Sequence, residues 1–253
     1  MFARLLTATL FSLYAWLFAV GAMAAGLKVG MSADYPPLAY LQDGHIVGIE
    51  ADSAKAVGAI IDQEMTLVNM PFEQLIPALQ AGDIDVIMSG MSVTPERSEQ
   101  VLFTDSYMDV GQMAIMTTDK VGHFSQPWAL YSEGVRIGVE PGTTGADFAA
   151  RELKDAKVTF FDDSTAAFAG LRSNEIDLYI HDAPTSWQLA TSNENGDLIS
   201  LYKPLTSEKL AWAVRKDDAR LAARLNDALQ LLKRNGTITY IFNRWIPVTV
   251  EVH

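Results

Sequence analysis

Arg97 stands third in the helical turn opened by Thr94-Pro95-Glu96-Arg97, with threonine as cap and proline at the first helical position. A capping box would want Glu or Gln there to reach back to the cap. Arginine cannot do so, and its planar fork of donors is free to take a carboxylate, with Ser92 just upstream to help. The alternative is a surface arginine paired with Glu96 or Glu99. Gly142-Thr143-Thr144 opens another helix, whose unpaired N–H groups and positive dipole end favour an anion and whose hydroxyls can donate. Plain N-capping accounts for the same threonines. Asp182 ends an apolar strand, a costly place for a carboxylate unless a cation meets it. A ligand ammonium would serve, or Asp182 caps the helix that starts near Pro184. Together these groups describe a receptor for a zwitterion. Tyr35 and Phe72 follow strands and can wall such a pocket against an aliphatic part of the ligand, or simply pack in core or rim.

Enzymatic signatures are missing: there is no cysteine nucleophile, G-x-S-x-G elbow, phosphate-loop lysine or HExxH helix. Histidines occur only at 45, 123, 181 and 253, without metal-ligand spacing, so neither a metal nor a cofactor is expected. His181 beside Asp182 invites a dyad, but neighbours on a strand point to opposite faces, so one must leave register to share a ligand. Met88, Met91, Met113 and Met116 read as packing, and Trp128, Trp187, Trp212 and Trp245 as core.

The elements that must hold these residues alternate. Strands are expected at 27–31, 66–69, 84–89, 136–139, 158–161, 176–181 and 211–214. Helices are expected at 51–62, 72–80, 146–154, 165–172, 217–234 and 237–245. Such alternation implies an α/β fold with largely parallel sheets, whose ligands sit beyond the carboxyl ends of the strands. Residues 79–90 are echoed at 171–182, and Lys28-Val29-Gly30-Met31 by Arg136-Ile137-Gly138-Val139. Two lobes built alike would face each other across a cleft. The extended run 107–117 crosses from one to the other, and the chain crosses back near 202–206, making a hinge. The expected division is 25–110 and 205–253 for lobe 1, and 111–204 for lobe 2.

The first 24 residues differ in kind: Arg4 is the only charge, the stretch from 5 to 20 is apolar, and Ala22-Met23-Ala24 offers the small-x-small pattern of a cleavage site. This reads as an export signal cut after Ala24, with an uncleaved anchor as the alternative. The chain has no cysteine, which excludes a lipoprotein anchor, disulfides and thiol chemistry. Its 31 acidic residues outnumber 19 basic ones for a net charge of −12. Such a surface repels nucleic acid and anionic lipid.

Six stretches in order, DYPPLAY, VGIEADSAKAVG, IPALQAGDIDVIMSGMSVTPERSEQVLFTDSY, GVEPGTTG, IDLYIHDAP and LQLLKRNGTITYIFNRW, resemble the periplasmic amino-acid-binding proteins of ABC importers, the extracellular solute-binding proteins of family 3. The resemblance implies a type II periplasmic-binding-protein fold with two hinge-connecting strands, a free amino acid as ligand and an ABC transporter permease as partner. A monomer in the periplasm, with no nucleic-acid partner, is expected. Carried over by position, Arg97, Ser92 and Thr144 resemble the ligands of the α-carboxylate, with Thr143 beside them. Asp182 resembles the acceptor of the α-ammonium, helped by the Gly90 carbonyl. Tyr35 and Phe72 fall on the aromatic walls, and side-chain selectivity would lie with Ser32, Glu140 and His181.

Ser32 departs from the aspartate common in receptors for basic and amide side chains, while Glu140 brings a carboxylate where members vary. These point to a polar or cationic amino acid. The competing expectation is an enzyme, because cyclohexadienyl dehydratases share this fold; in them a glutamate associated with catalysis stands where this chain has Thr185. A sensor module is a further alternative.

Overall fold

The structure is a computed structural model that describes residues 26–189 and 192–246. The expected leader, 1–24, and the end of the expected lobe 1, 247–253, lie outside the described residues. In chain order the strands are β1 Leu27–Met31, β2 Asp34–Tyr35, β3 Ala39–Gln42, β4 His45–Val47, β5 Met65–Asn69, β6 Val86–Ile87, β7 Val101–Val110, β8 Gln112–Thr117, β9 Arg136–Val139, β10 Lys157–Phe160, β11 Leu178–Asp182, β12 Leu198–Ser200 and β13 Glu208–Arg215. The helices are α1 Ile49–Ile61, α2 Leu75–Ala81, α3 Pro95–Gln100, α4 Val121–Phe124, α5 Thr144–Glu152, α6 Ser164–Arg172, α7 Ala183–Leu189, α8 Ala219–Arg234 and α9 Thr237–Trp245.

Two five-stranded sheets carry the molecule, ordered β5-β1-β6-β13-β7 and β10-β9-β11-β8-β12. Each is half parallel and half antiparallel: β1 pairs in parallel with β5 and β6, whereas β13 runs antiparallel to β6 and β7. The second sheet repeats this with β9 and β8. The expectation of largely parallel sheets therefore holds only for the strand–helix–strand halves. The crossing strands supply the rest, because a chain passing straight from β7 into β8 joins each sheet against the grain of its neighbour. Residue 111 separates those strands, and 201–207 separate β12 from β13. Asp34 and Tyr35, just past β1, form β2, which pairs with β3 in a small three-stranded meander.

Strand alternation sorts side chains to two faces of each sheet. In the first, Val86 and Met88 pack with Trp212, Leu225 and Leu229 on one face, while Ile87 packs with Leu75, Leu79 and Ala213 on the other. In the second, Leu178 and Ile180 pack with Phe148, and Tyr179 with Ala167 and Leu171. Helix α8 is capped by Asp218, whose carboxylate accepts from Leu221 N at 2.9 Å, and it buries Leu221, Leu225, Leu229 and Leu232 along one face. Of the tryptophans expected in the core, Trp212 is fully buried, but Trp128 is 70% exposed. A short 3₁₀ turn at Pro127–Tyr131 turns that indole outward. Trp187 and Trp245 are partly buried. Among the described residues no helix is long and apolar enough to cross a membrane.

Candidate functional site

A cavity lies between the two sheets, where strands give way to helices, with about 440 Å³ of empty space that includes its opening to solvent. Its wall brings together Ser32, Tyr35, Phe72, Gly90, Ser92, Arg97, Glu140, Thr143, Thr144, His181 and Asp182, every residue that the sequence singled out. Asp34, Gln112 and Ile180 complete it.

Arg97 is positioned by the cap expected for it: its backbone N–H donates to Thr94 Oγ1 at 3.1 Å. Its guanidinium turns toward the cavity rather than to a neighbouring glutamate. Nη1 donates to the Ser92 carbonyl at 2.8 Å and Nη2 to the Gly142 carbonyl at 2.9 Å, so the side chain spans both halves. Its face lies over the Phe72 ring, 5.3 Å from the centroid. Burial pulls the guanidinium down from its ordinary value, opposed by the charges of Asp182, Asp147 and Glu208.

On the opposite wall, β11 ends at Asp182 and the backbone turns at once into α7. Both His181 and Asp182 therefore reach the cavity, although they are consecutive on a strand. Asp182 Oδ2 accepts from Tyr35 Oη at 2.7 Å and Oδ1 from Gln112 Nε2. Its carboxyl is pushed up by burial, against the pull of His181. Tyr35 is raised well above its ordinary value, first by burial and then by Asp182, so it stays a phenol that donates. His181 stands edge-on to the Tyr35 ring at 4.6 Å. Its Nδ1 shares a 2.9 Å hydrogen bond with Thr185 Oγ1, and Nε2 lies 3.7 Å from Glu140 Oε1. Glu140 also accepts from the Tyr179 hydroxyl, and burial raises its carboxyl. Asp34 is likewise raised by burial. The lining thus sets three carboxylates against one guanidinium and one imidazole, a field that favours a net-positive guest.

Two threonines open α5. Thr143 is its N-cap, accepting from Ala146 N at 3.2 Å while its hydroxyl donates to the Glu140 carbonyl at 2.8 Å. N-capping is thus its visible role, while Thr144 Oγ1 bonds to Gln112 and Glu208. Gly90 lies at φ +62°, and its N–H donates to the buried Glu50 carboxylate at 2.8 Å. Glu50 also accepts from Tyr107 Oη at 2.5 Å and Trp212 Nε1 at 3.0 Å, which fixes the Gly90 peptide from below. Ser32 Oγ is buried without a hydrogen-bond partner among the described residues.

Sequence reasoning passed over Gln112, Glu208, Asp34 and Glu50. The signal available was one polar residue inside an apolar stretch, as Gln112 is in β8 and Glu50 on the buried face of α1. That signal says the residue has a partner without saying which.

The sequence model of the bacterial extracellular solute-binding proteins, family 3, matches residues 27–248. The chain is 34% identical over 237 residues to ABC transporter arginine-binding protein 1 of Escherichia coli K12, covering 91% of this chain and 95% of that one. Among solved structures it resembles an ancestral amino-acid-binding protein described as a precursor of cyclohexadienyl dehydratase, with a TM-score of 0.82 and 31% identity over 88% of this chain and 96% of that one. It resembles an ancestral arginine-binding protein bound to arginine with a TM-score of 0.81 and 32% identity, over 88% and 99% of the two chains.

Proposed function

The chain belongs to the bacterial extracellular solute-binding proteins of family 3, and from that premise we propose that it captures a free α-amino acid with a polar or cationic side chain between its lobes and delivers it to the permease of an ABC transporter. The observation that carries this reading is the pairing of Arg97 on one wall with Asp182 on the other across a single cavity. A guanidinium fork and a carboxylate at opposite sides match the two charges of a zwitterion. Tyr35 and Phe72 wall the space between them. Ser32, Glu140 and His181 are the candidate readers of the side chain, and the excess of carboxylates favours a cationic one. The arginine-binding relatives support the same direction. The protein works as an exported monomer in the periplasm after cleavage at Ala24. Residues 111 and 201–207 act as the hinge between lobes 25–110 with 205–253 and 111–204.

A thermal-shift screen over all amino acids tests the reading, since a ligand that binds only the folded state raises its melting temperature. One or a few cationic or polar amino acids should raise it. Solution scattering with that ligand should show a more compact particle as the hinge closes. A screen in which no amino acid shifts the melting temperature would overturn the proposal.

A second reading, a dehydratase acting on prephenate or arogenate, draws on the ancestral precursor among the structural neighbours. Thr185 argues against it. Its hydroxyl is engaged with His181, and no carboxylate stands at that position to move a proton. Prephenate incubated with the protein should yield no phenylpyruvate, and steady turnover would restore the enzyme.

A further inference from the structure

We propose that Glu208 is a specificity determinant of the cleft, an internal carboxylate that competes with the ligand's own carboxylate for the hydroxyls of Ser92 and Thr144. The inference rests on the amino-acid reading of the cavity. Glu208 opens β13, just after the chain crosses back from the second sheet. Its Oε2 accepts from Ser92 Oγ at 2.6 Å and from Thr144 Oγ1 at 2.7 Å. Its Oε1 accepts from Thr206 Oγ1 at 2.5 Å and Gln112 Nε2 at 3.2 Å.

Ser92 and Thr144 line the cavity, and Glu208 stands behind them. A hydroxyl has one proton to give. Both protons are therefore directed away from the cavity, toward an anion that ties the segment after β6 to the start of α5. Burial alone would push Glu208 up, but its four donors outweigh that and hold it below the ordinary glutamate value, so it is charged at neutral pH.

An incoming carboxylate faces a choice with two costs. It draws both protons off Glu208 and leaves that anion with Thr206 and Gln112, or it rests on Arg97 and backbone donors beside an unneutralised neighbour. A guest whose carboxylate is offset by cationic groups tolerates this arrangement, and an acidic amino acid does not. Glu208 thus biases the site against carboxylates in general, while Arg97 admits the α-carboxylate in particular.

Titration calorimetry with L-arginine, L-argininamide and L-glutamate on the unaltered protein and on Glu208→Gln separates this role from a structural one. The substitution keeps the shape and removes the charge. L-arginine should bind about tenfold tighter to Glu208→Gln, with argininamide unchanged or weaker, so that their ratio shifts by about tenfold or more. L-glutamate should gain at least as much as L-arginine. Equal weakening of L-arginine and argininamide, or an unchanged ratio, would overturn the inference and leave Glu208 a structural residue. Should Glu208→Gln lose its cooperative melt, Glu208→Ala is read in its place and must shift the ratio in the same direction. Arg97→Ala separates the two layers of argument. Lost L-arginine binding there with an unchanged ratio in Glu208→Gln sinks only the competition, undiminished L-arginine binding in Arg97→Ala sinks the assignment of the carboxylate to Arg97, and failure of every amino acid to bind the unaltered protein sinks the amino-acid reading.

Discussion

Residues 79–90 and 171–182 build the same object twice and end in opposite chemistry. Each begins at a helix end, turns through a left-handed residue, Gly82 at φ +80° or Asn174 at φ +59°, and enters a strand that pairs in parallel with an earlier strand of the chain, β1 or β9. Val86 faces Val29 as Leu178 faces Ile137, and Ile87 faces Gly30 as Tyr179 faces Gly138. A Cβ on Gly30 would lie 2.3 Å from Ile84, and one on Gly138 2.5 Å from Ile176, so the same isoleucine fills the same absence in both lobes. Asp85 accepts from the Lys28 N–H at 3.0 Å and Asp177 from the Arg136 N–H at 3.0 Å. At the cavity the copies part: one ends in Gly90, a bare peptide, and the other in Asp182, a carboxylate. Parallel pairing ends at Ile87 in one copy and at Tyr179 in the other, so the last residue of each is released from that register, although Asp182 still pairs antiparallel with Gln112. The strand ends are therefore free to specialise.

The largest expected effect comes from removing the charge that complements this asymmetry. Arg97→Ala should weaken amino-acid binding by about 2–5 kcal/mol, as a charge-paired donor does when truncated. Unchanged affinity by titration calorimetry would break the assignment of the two walls. Next is Gly90→Ala. The left-handed backbone disfavours a side chain, and its Cβ would lie 2.6 Å from the Tyr35 ring and 2.7 Å from Leu38. A loss of about 1–3 kcal/mol in urea unfolding is expected from strain and overpacking, and an unaltered midpoint would show that this end of the repeat needs no bare peptide.

The repeated aspartates sharpen the comparison further. Asp177 is held by Arg136 and by Lys120 at 2.7 Å, whereas Asp85 has Arg215 no nearer than 3.4 Å. Asp177→Asn should cost about 1–3 kcal/mol, and Asp85→Asn about half of that. Equal losses would mean that the charged partners add nothing to the shared backbone contact. The smallest effect is the pH dependence of that difference. Burial would raise Asp177, but the hydrogen bonds from Arg136 and Lys120 together outweigh it and hold its carboxyl well below the usual carboxylate range. A depressed folded-state value means that the unfolded chain takes up the proton first. The stabilisation is complete above an unfolded pKa of about 4 and is lost as pH falls from there through the folded value. Urea midpoints of the unaltered protein and Asp177→Asn should converge as pH drops from 5 toward 3. A constant gap would contradict the linkage.

Much of the fold was open to a reader of the sequence, because it is written in local periodicity. The apolar face of α8, the Thr94-Pro95 helix start and the buried strand of each repeat all declare themselves within a few residues. The cavity wall followed for the same reason: Arg97, Thr144 and Asp182 stand at strand ends and helix starts, and α/β folds gather those places. The mixed character of the sheets was not legible, because the crossing strands look locally like any other extended run.

Sequence alone determined the two lobes, the repeat that relates them and the side chains at their facing ends, since each is a matter of spacing along one stretch of chain. Only the tertiary structure decided what those side chains do with their protons. Ser92 and Glu208 lie 116 residues apart and Thr144 and Glu208 64 apart, yet one oxygen accepts from both hydroxyls. Glu50 likewise becomes the support of Gly90 only when α1 packs beneath β6 and Tyr107. Periodicity reports which face of an element is buried; it carries no record of which donor meets which acceptor across the cleft, and that pairing fixes the charge a guest encounters.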